Sequence, residues 1–223
     1  MKHLSNELQS FQKNLKLAIF DWDGTVMDSI EQIVASLQAV GQHFNLHIPA
    51  NAAQHVIGLG LTEVMHTLFP DHVAHYDEMR QVYANHYLAY PEAAPVFSGM
   101  RPLLDELRKR GVMLAVATGK NRLGLNRVLN QSGLSEYFTV TRTADEALSK
   151  PDPLMLTQIL NMTQIDAQHA VMIGDTAFDL QMAQAIAMPR VGVLWGAHSY
   201  ADLAQCEPIG MAETVADLKR ILG

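Results

Sequence analysis

The stretch AIFDWDGTVMDS, Ala18 to Ser29, decides how this chain is read. Its front completes the run LKLAIF, Leu15 to Phe20, a short apolar stretch of the kind that forms a strand buried on both faces. The run then stops on two aspartates one position apart, Asp21 and Asp23, followed by Gly24, Thr25 and a third aspartate, Asp28. Like charges at the end of a buried strand repel unless a cation or a proton sits between them. Residues two apart in extended backbone point to one side, so Asp21 and Asp23 are expected to share such a partner.

Working outward, the same apolar pattern returns in GVMLAVAT, YFTVTRT, HAVMIG and PRVGVLW. Between these runs, RPLLDELRKR, NRLGLNRVLNQSG, PLMLTQILNM and AFDLQMAQAI carry helical spacing, several of them closed by Gly or Pro. Strands alternating with helices predict an α/β protein with a parallel sheet covered by helices on both faces. One stretch breaks the alternation. From Glu31 to Tyr90 four helical patterns follow one another with no convincing strand, and the stretch closes on the Pro-rich YPEAAPVFSG. The expected organisation is a sheet domain split into residues 1–28 and 98–223, with an all-helical insert over 29–97 hinged near Pro91 to Ser98.

At 223 residues and 48% hydrophobic content, the chain can bury a sizeable core. A formal net charge of -7 gives no general attraction for nucleic acid or an anionic membrane, so neither is an expected partner. Any anionic ligand needs a local positive site. The single cysteine, Cys206, has no internal partner, and the polar start MKHLSNELQSFQKN lacks the apolar core of a signal peptide. The cytoplasm is the expected compartment. The apolar runs are too short to span a bilayer.

In doubly wound sheets ligands sit beyond the carboxyl ends of the strands, and the unusual residues fall there. Asp21 and Asp23 end the first strand, Thr118 and Gly119 end the second in AVATGK, Lys150 follows the third in SKPDP, and Asp175 ends the fourth in MIGDTAFD. Asp179 lies four residues beyond Asp175, on the same face of a helix that starts near Thr176. This oxygen-rich, sulfur-free set suits Mg2+. A phosphate ester beside that ion explains the remainder: Lys150 supplies a compact cation, and the Thr118 hydroxyl with the Gly119 backbone can hold phosphoryl oxygens. Asp21 would be the nucleophile, and Asp23 would protonate the leaving oxygen and then deprotonate water.

With DWDGT, Thr118, Lys150 and GDTAFD in this order, the chain resembles the haloacid dehalogenase superfamily, in its Mg2+-dependent phosphatase branch. The resemblance runs from about residue 15 to 197. It implies a Rossmann-like core with an inserted helical cap, as in phosphoglycolate-phosphatase-like members, and hydrolysis of a small phosphorylated metabolite through an aspartyl-phosphate. It also implies that Asp21 is nucleophile and Mg2+ ligand, that Asp23 is the acid/base and gives only its main-chain carbonyl to the metal, and that Asp175 is a ligand. Asp179 would be a further ligand or would orient metal-bound water. Sugar phosphomutases of the superfamily often carry a His twelve residues past the nucleophile, where this chain has Ile33. A binding protein that kept only the fold would have lost one of the chemical positions, and Asp21, Asp23, Thr118, Lys150 and Asp175 are all present.

Within the insert, GLGLTE places Gly58, Leu59 and Thr62 as candidates for substrate selection, because a Gly-rich turn lets backbone approach a ligand. Arg80 is the insert's one strong cation; Lys120 and Arg122 of the sheet domain are further candidates for a second anionic group. Trp22 is expected to point away from the carboxylates into sheet packing. Seven of the ten histidines fall in the insert, and a solvated surface fits them better than a zinc site at His43 and His47, which lack an acidic companion motif.

Overall fold

A computed structural model describes residues 2–90 and 94–223, with side chains from residue 8 onward. Six parallel strands form its sheet: β1 (Leu17–Phe20), β2 (Met113–Thr118), β3 (Val140–Thr143), β4 (Ala170–Gly174), β5 (Arg190–Val193) and β6 (Gly210–Ala212). Their spatial order is β3-β2-β1-β4-β5-β6. The chain therefore builds outward from β1 in one direction, returns, and builds outward in the other, so the gap between β1 and β4 is the topological switch point where open α/β sheets bind ligands.

Alternation along the strands sorts the apolar side chains into two layers. Ala18, Phe20, Leu114, Val116, Val171, Ile173, Val191 and Val193 face a layer that contains α6 (Met100–Lys109), α7 (Arg122–Ser132) and α11 (Val215–Leu222). Leu17, Ile19, Ala115, Ala117, Ala170 and Met172 face the opposite layer, made by α8 (Leu154–Thr163) and α9 (Ala177–Gln184). Two further helices, α1 (Lys2–Asn14) and α10 (Tyr200–Ala204), complete this domain.

The insert is all-helical: α2 (Ile30–His43), α3 (Ala50–His55), α4 (Leu61–Leu68) and α5 (Tyr76–Leu88), with a 3-10 turn over Pro70–His75. It has its own core, in which Ile33, Leu37, Val40, Ala53, Met65, Phe69 and Met79 meet. The chain leaves and re-enters the sheet domain along adjacent paths: Met27 and Val96 form an antiparallel bridge, Phe97 N–H donates to the Val26 carbonyl and Asp28 N–H to that of Pro95. Of the hinge expected at Pro91 to Ser98, residues 91–93 lie outside the described residues. No described helix is long and apolar enough to cross a membrane.

Candidate active site

Asp21 follows β1 directly, and its N–H extends the ladder by donating to the Ile173 carbonyl of β4 at 2.9 Å. This pins the carboxylate beside the end of β4, where Asp175 follows Gly174. Asp21, Asp175 and Asp179 bring one carboxylate oxygen each to within 4.8 Å of one another, and all three are buried. Lys150 is the counter-ion. Its ammonium, 1% exposed like Asp21, donates to Asp21 Oδ1 and Asp179 Oδ1 at 2.5 Å each. One ammonium against three carboxylates leaves two negative charges unbalanced when all are ionised. The consequence is visible in the acids. Burial, followed by the charges of Asp179 and Asp175, holds Asp21 well above the usual carboxylate range despite Lys150. Burial, with Asp179 next to it, pushes Asp175 up to about 7.

The cluster fits a small divalent cation. Its donors are all oxygen, its excess charge is two, and Asp21 Oδ2 is buried with no hydrogen-bond partner. Each remaining carboxylate is held in place. Asp175 accepts from the Thr25 hydroxyl at 2.8 Å and from the Ala197 N–H at 2.8 Å. Asp179 belongs to a capping box at the start of α9: its Oδ2 accepts from the Thr176 hydroxyl at 2.7 Å, while Thr176 in turn caps the Asp179 N–H. Asp175 and Asp179 do come together, but not on one helical face as expected: Asp175 precedes the Thr176 N-cap and lies outside α9.

Asp21 and Asp23 do not share a partner, contrary to the extended-backbone expectation. The chain turns immediately after β1: the Trp22 carbonyl accepts from Val26 and Met27, and Gly24 sits at φ +80. A side chain at Gly24 would also meet Asp175 Oδ2 at 2.3 Å, so the turn requires glycine on both counts. The turn sends Asp23 to a different lysine. Its Oδ1 lies 3.0 Å from Lys120 Nζ and accepts from the Ser29 hydroxyl at 2.6 Å. The Asp23 carboxylate is thus outside the cluster. Trp22 points into the core, edge-on to Phe138 at 5.8 Å. Thr118, fully buried at the end of β2, accepts from the Lys120 N–H at 3.2 Å.

The family model of the haloacid dehalogenase-like hydrolases matches residues 18–193, which takes in every residue of the cluster. The chain belongs to this family. The tyrosine-protein kinase PtkA of Mycobacterium tuberculosis is 30% identical over 93% of this chain and 72% of its own length. A phosphoglycolate phosphatase of Neisseria meningitidis is 28% identical over 86% of this chain and 84% of its own. A solved hydrolase from Pseudomonas syringae shares the fold, with TM-score 0.84 at 22% identity over 93% of this chain and 97% of that one. Within the family the chain is a phosphoglycolate-phosphatase-like phosphoric monoester hydrolase.

In this hydrolase the insert sits directly on the strand ends. A side chain at Gly119 would meet the carbonyl oxygens of Leu59 and Gly58 at 2.3 and 2.6 Å, so the cap loop rests on the residue after Thr118. Gly58 also lies against Thr176, and the Gly60 N–H donates to the Ser149 hydroxyl, next to Lys150, at 2.8 Å. Thr62 stands apart, exposed on α4, with its hydroxyl 3.4 Å from Arg80, which pairs with Asp77. Arg122 is turned into its own domain, bonded to Glu146 and Thr141. Of the two sheet-domain candidates, Lys120 does reach the cap: its ammonium lies 3.3 Å from the Tyr87 hydroxyl and over the Tyr87 ring, which Arg127 also approaches. His43 pairs with Glu78, and His47 is exposed.

Sequence reasoning missed Thr25, Ser29, Ala197 and Tyr87. Thr25 follows the turn glycine and was within sight as the last letter of DWDGT. Ser29 was also within sight as the last residue of AIFDWDGTVMDS; Ala197 and Tyr87 come from a loop and a helix whose placement depends on how cap and core meet.

Proposed function

We propose that the chain is a Mg2+-dependent phosphatase that hydrolyses a small phosphomonoester through an aspartyl-phosphate on Asp21. The observation that carries this reading is the orphaned Oδ2 of Asp21 inside a buried, doubly negative carboxylate cluster at the switch point. Asp21, Asp175, Asp179 and the Asp23 main-chain carbonyl are the groups that would hold Mg2+, which when bound supplies charge neutralisation for the incoming phosphate dianion.

The roles of the chain's own residues then follow. An Asp21 carboxylate oxygen attacks phosphorus as the bond to the leaving oxygen breaks, and Asp23 in its acid form gives that oxygen its proton. Asp23, now a carboxylate, takes a proton from water whose oxygen attacks the same phosphorus, and the bond to Asp21 breaks. Inorganic phosphate leaves and both aspartates are restored. Ser29 and Lys120 hold Asp23 in one orientation throughout. Lys150 orients Asp21, and the Thr118 hydroxyl with the Gly119 backbone holds phosphoryl oxygens. The cap, over 29–97 on the domain boundaries proposed from sequence, excludes water from the first step by resting its Gly58 and Leu59 carbonyls on Gly119.

Lys120 beside the acid/base supports a leaving group that carries its own negative charge, of the phosphoglycolate kind, over a neutral sugar. Ile33 packs in the cap core, which supports hydrolysis over phosphoryl exchange between sugar positions. Phosphate release from a panel of phosphometabolites, with and without Mg2+, tests the reading. Turnover is expected only with Mg2+, fastest for anionic leaving groups, and lost in Asp21→Asn. Turnover that survives this substitution would overturn it.

A further inference from the structure

Asp175 is held by a loop that is itself held by the cap. The Ala197 N–H donates to Asp175 Oδ2 at 2.8 Å, and the His198 N–H donates to the Asp175 main-chain carbonyl at 3.2 Å. The peptide unit that carries this His198 N–H has the Ala197 carbonyl at its other end, and that carbonyl accepts from Gln54 Nε2 at 2.8 Å. Gln54 belongs to α3 of the cap. A peptide hydrogen-bonded at both ends is polarised along its length, so the cap amide strengthens the grip on Asp175.

His198 makes a second link. The Ala177 N–H lies 3.1 Å from His198 Nδ1 and can only donate, so Nδ1 is the acceptor. The ring proton is then on Nε2, which donates to the His55 carbonyl at 3.1 Å. Ala177 is the first residue of α9, whose N–H has no partner inside the helix. The imidazole therefore joins the start of the helix that carries Asp179 to the end of cap helix α3. It also stacks on the His55 ring with centroids 4.9 Å apart, edge-on to Phe178, and Ala197 packs against the cap core.

We propose that Gln54 and His198 are positioning residues: Gln54 through the Ala197–His198 peptide that holds Asp175, and the His198 imidazole through the Ala177 N–H at the start of the helix that carries Asp179, present these ligands to the cation only when the cap is seated. The inference rests on the reading that the carboxylate cluster holds a divalent cation. It makes cation affinity a property of cap position, with no cap side chain touching the cation.

The experiment is calorimetric titration of the full chain with Mg2+ alone, alongside phosphate-release kinetics at several Mg2+ concentrations. Variants are Gln54→Ala, His198→Asn, His198→Gln and, as the cation control, Asp175→Asn. In His198→Asn, Oδ1 replaces Nδ1 and keeps the bond from Ala177 but cannot reach His55. In His198→Gln, Nε2 replaces the ring Nε2 and keeps the cap bond alone. Gln54→Ala and His198→Asn are expected to bind Mg2+ about tenfold more weakly, as loss of outer partners of metal ligands does. Their kcat should recover at high Mg2+ with KM for the phosphoester unchanged, and His198→Gln should stay near the native chain. Native affinity in Gln54→Ala overturns the proposal and leaves the cation reading standing. So does the reverse order of the two His198 variants, which would show that only the contact inside the core matters. No Mg2+ binding by the native chain overturns both.

Discussion

Asp175 is the residue at which the site's electrostatics can be read most directly. Held up to about 7 by burial and by Asp179, it competes for protons with any cation it binds. Mg2+ affinity should therefore climb as pH rises through about 7, and titrations at successive pH values check this. The same shift fixes the sign for stability. Between the ordinary carboxylate value of about 4 and its own raised value, the folded metal-free chain holds a proton that the unfolded chain releases. Metal-free stability is then greatest below this window and falls as pH rises through it; urea unfolding in chelator should show the decline, and Asp175→Asn should flatten it. Lys150 acts in the opposite sense. Removing it in Lys150→Met strips two buried carboxylates of their counter-ion, a loss of about 3–5 kcal/mol for a broken buried pair. Unfolding at pH 8 should show most of that loss and at pH 5 less, because Asp21, already held above the usual carboxylate range, can then take a proton. Equal loss at both pH values would mean that Lys150 matters for packing alone.

Among the elements, the contact between the cap loop and the end of β2 decides whether the cap can seat. In Gly119→Ala the new methyl would collide with the Leu59 and Gly58 carbonyls, backbone atoms that cannot swing aside. The core fold should persist, since Gly119 has no left-handed backbone to lose, while kcat/KM should fall on the order of 100-fold through misplacement of the cap. Far-ultraviolet dichroism alongside kinetics separates the two effects. Legibility also varies by element. Of the five strands read from sequence, β1, β2 and β4 were the clearest, because each is an apolar run that gives way to a polar group, as IF gives way to Asp21 and IG to Asp175. The three-residue β6, Gly-Met-Ala, has too little length for any period to show. Helix α1 is built from a mainly polar stretch, which drew attention for what it lacked rather than for its helical spacing.

For the molecule as a whole, the parallel order of the sheet does the gathering. Four strand ends far apart in sequence deliver Asp21, Thr118, Lys150 and Asp175 to one edge, and this was predictable because strand alternation alone implies it. What sequence could not supply was the pairing of charges: Lys120 with Asp23, Lys150 with Asp21 and Asp179, the cap loop on Gly119. Those depend on a turn at Gly24 and on where the insert lands, which no local pattern encodes. Binding of Mg2+ to the folded chain alone should also raise its unfolding temperature, by about 2.7 kcal/mol of stability at 100 times Kd. Calorimetry with and without the ion measures this, and Asp175→Asn should abolish it. The account turns on the covalent chemistry of Asp21, and the most direct test is to quench the chain in acid during turnover, reduce with borohydride and map the peptides by mass spectrometry. Conversion of Asp21 to homoserine, dependent on substrate, is the predicted result. Steady phosphate release with Asp21 unmodified, or with the reduction product at another residue, would contradict it.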